Sequence, residues 1–363
     1  MRISVCLKMK NNLNLNWILA GLVWATAVAV QAQTNAYRPD FGRQLLAPSL
    51  EESASRGIVT RDPSDVVRCG GEYWVFYTGH GVPSYHSKDL VHWEAGPAVF
   101  QTPPEWIAGT VPRNRRMSYW APDVMKVGDR YLLYYSVSTM GKMTSAIGLA
   151  TTPTLDPRDP AYHWTDQGIV VRTQEGDDHN AIDPSVFRDT DGSLWLTFGS
   201  YWSGIKLIQL DPSTGKRSAP DAKLYSLAYN ESIEASYLCK HDDYYYLFVN
   251  WDGCCRGTNS TYNIRIGRSK TITGPYLDKA GKDMMQRGGS VFLPTVNGPL
   301  FGPGHAGMLD AEGKKWFTSD FEGDIRMNGQ ATLAIMPLHW NADGWPEATV
   351  NDLKPAVKAT IGN

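Results

Sequence analysis

The chain has 363 residues, of which 20% are charged and 11% aromatic, and its formal net charge at pH 7 is −2. It therefore lacks the strong positive charge with which proteins bind nucleic acids or anionic surfaces. Cys69, Cys239, Cys254 and Cys255 are the cysteines after residue 32, too few for a disulfide-built scaffold of this size.

The first 32 residues have the pattern of a secretory signal peptide. Three of the first ten residues are basic, residues 17–30 are apolar and uncharged, and Ala32 ends a small-residue cleavage site. A membrane anchor is the alternative, but the apolar run is short for a bilayer. We therefore expect a secreted or periplasmic protein whose mature part, residues 33–363, is a single domain.

The mature chain is predicted to be all-β. Short runs rich in aromatic and β-branched residues are bracketed by Gly, Asp and Asn, which is typical of strands and turns. In chain order these runs are EYWVFYTG, RYLLYYSVS, SLWLTFGSYW, DYYYLFVNW and KKWFTSDF. No long amphipathic helix is evident.

The runs belong to repeats. Residues 65–73 align with residues 123–131, and further copies start at Ser185, Ser236 and Gly307. Copies roughly 50 to 70 residues apart indicate a propeller or another repeat array. We predict a five-bladed β-propeller; a β-sandwich would accommodate the strands but would not explain the repeat.

Three carboxylates each stand before a predicted strand: Asp62 in TRDPSDV, Asp183 in NAIDPSVF and Glu234 in SIEASYL. The innermost strand of a propeller blade begins near the axis, so these acids should converge there. Glycosidic-bond hydrolysis needs such a set, because one carboxyl group donates a proton while another activates water. Turn formation by Asp-Pro is the alternative for the two aspartates.

Two other acids are less favoured. Glu231 lies three residues before Glu234 and could compete as the proton donor, but Glu234 leads its strand directly. Asp123, in YWAPD, could line the cavity or pin blade two to a neighbour, and we favour the structural role.

Several long motifs, in order, resemble the arabinanase branch of glycoside hydrolase family 43. The resemblance covers about residues 59–305 and rests on YWAPDVMKVGDRYLLYYSVS, HNAIDPSVF, IEASYLCKHDDYYYLFVNWDGCCRGTNSTYNIRIGRS and GPGH. It implies an inverting hydrolase of α-1,5-linked L-arabinofuranose chains on a five-bladed propeller. It also implies that Asp62 is the general base, that Glu234 is the general acid, and that Asp183 holds the acid and tunes its pKa.

The resemblance further implies that His305, in GPGH, helps to hold a mainly water-coordinated cation, usually calcium, on the propeller axis. Three positions depart from the family pattern. Arg61 stands where a histidine commonly precedes the base, Ser236 replaces a proline, and FTSDFEGD (residues 317–324) replaces an HxYD-like run. The third change leaves the outer subsites and the mode of cleavage open.

Candidate substrate-binding residues are aromatic or polar. Aromatic rings stack on the apolar faces of sugars, although packing between blades is the alternative for each ring. Asn180 could bind a sugar hydroxyl or orient Asp183, and the adjacent pair Cys254-Cys255 could be a vicinal disulfide or two thiols. The candidates for contact with substrate are Trp106, Trp120, Tyr201, Trp202, Asn180 and Ser200.

Three functions are compatible with these features. The first is an endo-acting arabinanase, a monomer that acts on plant cell-wall arabinan or arabino-oligosaccharides and has no membrane attachment once the signal is removed. The second is an exo-acting α-L-arabinofuranosidase, arabinanase or β-xylosidase of the same family. The third is a non-catalytic carbohydrate-binding propeller, although its three acids would then have no role.

Overall fold

Five sheets, one for each sequence repeat, form the blades of a β-propeller in this computed structural model, and all their strand pairs are antiparallel except one in the first blade. The structure describes residues 58–295, 298–354 and 357–358, so the predicted signal peptide lies outside it. The all-β prediction is confirmed: the described residues contain one α-helix, α1 (Trp106–Thr110), and four single-turn 3-10 helices. Within the same residues, no helix is both long enough and apolar enough to cross a bilayer.

The strands follow one another blade by blade. Blade one contains β1 (Val67–Cys69), β2 (Glu72–Phe76), β4 (Ser84–Ser87), β5 (His92–Gly96) and β23 (Val357–Lys358). Blade two contains β3 (Gly79–His80), β6 (Ser118–Val127), β7 (Arg130–Val137), β8 (Ser145–Thr152) and β9 (Thr165–Thr173). Blade three contains β10 (Ser185–Arg188), β11 (Leu194–Phe198), β12 (Ile205–Leu210) and β13 (Tyr225–Ala228).

The last two blades complete the ring. Blade four contains β14 (Ile233–His241), β15 (Tyr244–Trp251), β16 (Asn263–Ser269) and β17 (Ser290–Leu293). Blade five contains β18 (Leu300–Ala311), β19 (Lys314–Asp324) and β20 (Gln330–Pro337). A two-stranded ribbon of β21 (His339–Trp340) and β22 (Pro346–Glu347) follows.

The two ends of the described chain join the first and last blades. Val59 bridges to Thr332 in β20 of blade five, and β23 pairs in parallel with β5 of blade one. Each terminal segment thus lies against an outer strand, which leaves fewer open sheet edges.

The hydrophobic core is divided into five clusters, each between two neighbouring blades. In β7, Tyr131, Leu133 and Tyr135 pack toward blade one, whereas Leu132 and Tyr134 pack toward blade three. Successive side chains of a strand point to opposite faces, so a strand with neighbours on both sides is apolar at every position. This explains why the middle strands read as unbroken apolar runs.

Two aspartates, the buried Asp123 and the half-buried Asp65, link all five blades near the axis. Asp123 of blade two accepts hydrogen bonds from the backbone amides of Asp65 (3.1 Å) and Val186 (2.7 Å). Asp65 of blade one accepts from the Met308 amide (3.0 Å) and the Tyr237 hydroxyl (3.3 Å) of blades five and four. The structural role that we favoured for Asp123 is confirmed by these contacts.

Candidate active site

Each blade has a residue with left-handed backbone where its first strand meets the axis. These residues are Asp62 (φ 49°), Ala121 (40°), Asp183 (56°), Ala235 (50°) and His305 (50°). In blades two, four and five the register of the first strand shifts at this point. Such bulges redirect side chains, and non-glycine residues rarely adopt positive φ, so the repeat marks a specialised position.

Glu234 does not occupy the same repeat position as the two aspartates. It lies one residue before the left-handed Ala235, whereas Asp62 and Asp183 are themselves left-handed. Our sequence interpretation treated the three acids as equivalent and missed this offset. The Ala235 amide, directly after Glu234 in the chain, donates to Asp183 Oδ2 at 3.2 Å, so the two acids belong to neighbouring parts of the site.

A small cavity at the centre of the propeller has four of these five residues in its lining. Residues from all five blades line it, among them Pro63, Ala121, Asp183, Ala235 and His305. Of the three predicted acids, Asp183 belongs to this lining, whereas Asp62 and Glu234 are chain neighbours of the lining residues Pro63 and Ala235.

Asp62 is the most accessible of the three acids, with 16% of its side chain exposed. Its Oδ2 accepts a hydrogen bond of 2.5 Å from the Thr78 hydroxyl. Its Oδ1 lies 3.2 Å from His305 Nε2. Asp62 is thus held by polar groups of blades one and five while remaining open to solvent, which suits a group that activates water.

Glu234 is buried and has two hydroxyl partners. Ser200 Oγ donates to Oε2 at 2.7 Å, and Tyr262 Oη donates to Oε1 at 2.9 Å. Burial, followed by the charge of Glu234, raises the pKa of Tyr262 well above its usual value, so the phenol keeps its proton. Ser200, predicted to contact substrate, lies instead against this acid. Tyr262 was missed; its position inside a family-like motif was the only available signal.

Asp183 is buried and fixed at both its backbone and its carboxylate. Its amide donates to Ser136 Oγ at 2.9 Å, and its Oδ2 accepts from the Ala235 amide at 3.2 Å. Burial raises the pKa of Asp183 well above its usual value, and the charges of Glu234 and Asp62 raise it further. Burial and the two neighbouring acids therefore favour the protonated form of Asp183.

A similar hydrogen bond connects three of the inner blade positions to the preceding blade. In three blades, a polar side chain that follows or ends the second strand accepts the amide of the next left-handed residue. The pairs are Thr78 with Ala121 (2.7 Å), Ser136 with Asp183 (2.9 Å) and Asn250 with His305 (3.2 Å). Blade packing thereby sets the positions of the site residues.

Blade three breaks this pattern at Gly199, whose amide bonds to Ile182 O as the equivalent residues do in other blades. Gly199 has φ +128°, and an added Cβ would lie 2.5 Å from Gly204 O, so no side chain fits there. The Ala235 amide is accepted by Asp183 instead. Asp183 therefore replaces a missing structural acceptor and is held beside Glu234 by doing so.

Two of the three departures from the family pattern contact each other. Arg61 Nη1 donates to both carboxylate oxygens of Glu322, at 3.0 and 2.9 Å. The Cys255 amide also donates to Glu322, at 2.6 Å. The changes at Arg61 and in FTSDFEGD thus form one charged pair beside Asp62.

Asp320 is fully buried, and among the described residues none forms a hydrogen bond of normal geometry with its carboxylate. The backbone amide of Asp62 lies near the Asp320 carboxylate but outside normal hydrogen-bond geometry. Burial, then the charges of Asp62 and Glu322, raise the pKa of Asp320 well above its usual value. Oxygens of Asp62, Asp320 and Glu322 lie within 4.8 Å of one another.

Tyr201 and Trp202, predicted to stack on substrate, have exposed rings. They follow Ser200 in the loop after β11, are 37% and 40% exposed, and both have positive φ. The charge of Glu234 is among the influences that raise the pKa of Tyr201, after burial, so its ring lies near that acid.

The remaining candidates differ in their surroundings. Trp120 is half-buried in β6, opposite Ser136. Asn180 is buried, and its Oδ1 has no partner among the described residues. Trp106 packs beside Tyr135 in the cluster between blades one and two, and its Nε1 donates to Asp166 of β9 at 3.4 Å. The structure does not bring Trp106 to the acids, and its contacts are those of core packing.

Two further questions from the sequence are resolved. Glu231 is exposed and forms an ion pair with Arg287 on the surface, so it has no part in the acid cluster. Cys254 and Cys255 are free thiols in the structure.

Comparisons with known proteins agree with this fold. Residues 58–346 match the model of glycosyl hydrolases family 43. The chain is 39% identical over 330 residues to an extracellular exo-alpha-(1->5)-L-arabinofuranosidase of Cellvibrio japonicus, covering 87% of this chain and 94% of that one. It is 40% identical over 293 residues to extracellular endo-alpha-(1->5)-L-arabinanase 1 of Bacillus subtilis, covering 78% and 86%.

A solved structure of an arabinanase is also similar to this chain. The alpha-L-arabinanase of Cellvibrio cellulosa complexed with arabinohexaose matches with a TM-score of 0.78 and 36% identity, covering 84% of this chain and 99% of that one. The resemblance seen in the sequence is therefore confirmed, and the chain belongs to glycosyl hydrolase family 43.

Proposed function

We propose that this glycoside hydrolase cleaves internal α-1,5-linked L-arabinofuranosyl bonds of arabinan with inversion of configuration. Asp62 is the general base, Glu234 the general acid, and Asp183 the group that positions and tunes the acid. The main support is that acids from blades one, three and four meet at the axis in different environments. Asp62 is partly exposed to water, whereas Glu234 and Asp183 are buried together.

The reaction follows from those environments. Glu234 donates its proton to the glycosidic oxygen as the bond to the anomeric carbon breaks. Asp62 takes a proton from a water molecule that attacks the opposite face of that carbon, so configuration inverts. When ionised, Asp183 disfavours a second negative charge on Glu234 and so helps it to keep its proton. Ser200 and Tyr262 hold the carboxyl group of Glu234 in place.

Replacement of the acid tests this assignment, and the chain offers a matched control. Glu234→Gln should lower kcat on linear arabinan by about 10²- to 10⁴-fold, the usual contribution of a general acid. Glu231→Gln, three residues away on the surface, should leave kcat unchanged. Reducing-end release would be measured for both variants. Full activity of Glu234→Gln would refute its role.

Exo action is the second candidate, because the exo-acting relative is 39% identical over 330 residues. Debranched arabinan separates the two modes: mixed oligosaccharides indicate endo action, and one small product indicates exo action. Xylan and aryl glycosides in the same panel test the β-xylosidase alternative. Binding without hydrolysis of any substrate would instead support a carbohydrate-binding propeller.

We also propose that a hard cation such as calcium binds near His305. The surroundings fit such an ion, because Asp62, which lies 3.2 Å from the imidazole, clusters with the carboxylates of Asp320 and Glu322, and calcium prefers oxygen ligands. The bound ion would supply positive charge that offsets these carboxylates. Chelation should lower the unfolding midpoint, and added calcium should restore it; an unchanged midpoint would contradict the proposal.

The natural substrate would be plant cell-wall arabinan or its oligosaccharides. We propose that the protein acts after export, since both relatives described above are named extracellular. We also propose that it acts as a monomer.

A further inference from the structure

We infer that Thr78 is a positioning residue for Asp62. A hydrogen bond from the neighbouring blade orients the Thr78 hydroxyl so that it holds the Asp62 carboxylate in one orientation. The inference rests on the proposed role of Asp62 as the base. Thr78 follows β2 and belongs to no motif that the sequence interpretation assigned to the site.

Three hydrogen bonds fix Thr78. Its amide donates to Arg61 O at 2.9 Å, which ties its backbone to the residue before Asp62. Its Oγ1 lies 2.5 Å from Asp62 Oδ2 and 2.7 Å from the amide nitrogen of Ala121 in blade two. The half-buried hydroxyl thus lies between a carboxylate and a backbone amide.

The direction of each bond follows from the chemistry of the partners. A backbone amide only donates, so the hydroxyl must accept from Ala121. An ionised carboxylate only accepts, so the single hydroxyl proton must point to Asp62. The short distance is that of a charge-assisted O–H···O⁻ hydrogen bond. Because Ala121 belongs to blade two, the packing of blades one and two determines where this proton points.

The other residues at equivalent positions do not combine these two functions. Ser136 and Asn250 accept the amides of Asp183 and His305, but among the described residues neither side chain forms a hydrogen bond with a carboxylate of the site. Thr78 accepts a hydrogen bond from the next blade and also donates one to the Asp62 carboxylate. Loss of its hydroxyl should therefore affect the chemical step as well as stability.

Two variants separate the hydroxyl from the rest of the side chain. Thr78→Val keeps the shape and removes both hydrogen bonds; Thr78→Ser keeps the hydroxyl and removes a methyl group. We expect Thr78→Val to lower kcat on linear arabino-oligosaccharides by about 10- to 100-fold, with KM within about twofold, and Thr78→Ser to stay within about threefold. The loss should be similar on a nitrophenyl arabino-oligoside, because a weakened base slows good and poor leaving groups alike.

The inference is overturned if folded Thr78→Val keeps the wild-type kcat, or if Thr78→Ser is as impaired as Thr78→Val. If Thr78→Val does not fold, Thr78→Cys, whose thiol is a weak donor, should show at least about a tenfold loss. Crystal structures provide a test independent of activity: the Asp62 carboxylate should keep its orientation in Thr78→Ser and rotate in Thr78→Val. A wild-type protein that cleaves no arabinan would refute the proposed function, whereas an unmoved Asp62 would refute the role of Thr78.

Discussion

Backbone strain and chemistry coincide at single residues of this propeller. Asp62, Asp183 and His305 all have positive φ, which costs free energy for residues other than glycine. The surrounding hydrogen bonds stabilise that conformation at each position. The same geometry turns the three side chains toward the axis, so the strain is part of how the site is built.

Asp183 should influence the pH dependence of hydrolysis. When Asp183 is ionised, its negative charge disfavours loss of the proton from the general acid, so removing that charge should make the proton easier to lose. Asp183→Asn keeps an oxygen for the Ala235 amide and should move the alkaline limb of the kcat/KM profile to lower pH, by about one unit. The profile would be measured on arabino-oligosaccharides; a limb that stays in place or moves to higher pH would contradict the tuning role.

The sequence predicted the acids better than their partners. Asp62, Asp183 and Glu234 stand in repeated, family-like motifs, and the structure brings them together. The contacts of Tyr262 with Glu234 and of Ser136 with Asp183 join residues 28 and 47 positions apart. Such pairings depend on how blades pack, and no local pattern indicates them. The offset of Glu234 was missed for the same reason, because it follows from a bulge.

At the scale of the elements, buried carboxylates near the axis fasten the blades together. Asp123 accepts three backbone amides, from Asp65, Val124 and Val186. Burial raises its pKa to about 6 despite these donors. Hydrogen bonds to charged groups contribute about 1.5–3 kcal/mol each, so this residue should matter for stability.

Asp123→Asn tests that role. One carboxylate oxygen becomes an amide group that faces an N–H donor, so the free energy of unfolding should fall by about 2–4 kcal/mol. Asp129→Asn is the control, since Asp129 is exposed in the β6–β7 turn and should change stability by less than about 0.5 kcal/mol. Denaturant titration would measure both, and equal stability of the two variants would refute the fastening role.

At the scale of the whole molecule, stability depends on the contact between the last blade and the first. Ile58 is 1% exposed in the cluster between blades five and one, next to Val59, which is 37% exposed. Ile58→Ala should lower the free energy of unfolding by about 2–4 kcal/mol. Val59→Ala should cost less than about 0.5 kcal/mol. Similar losses for the two variants would show that this segment does not close the ring through its buried side chain.

The repeat was sufficient to predict five blades, because each copy contains two strands and a turn. Closure of the ring was not predictable, since Val59 and β23 pair with distant strands through backbone hydrogen bonds that leave no sequence pattern. The Arg61–Glu322 pair was likewise seen only as two separate departures.

The stereochemistry of the first product tests the central claim most directly. Proton NMR of linear arabinan during the first minutes of hydrolysis distinguishes the anomers before they interconvert. Attack by a water molecule activated at Asp62, opposite a leaving group protonated by Glu234, predicts that the β-anomer of the new reducing end appears first. Initial accumulation of the α-anomer, or no cleavage of arabinan, would contradict the account.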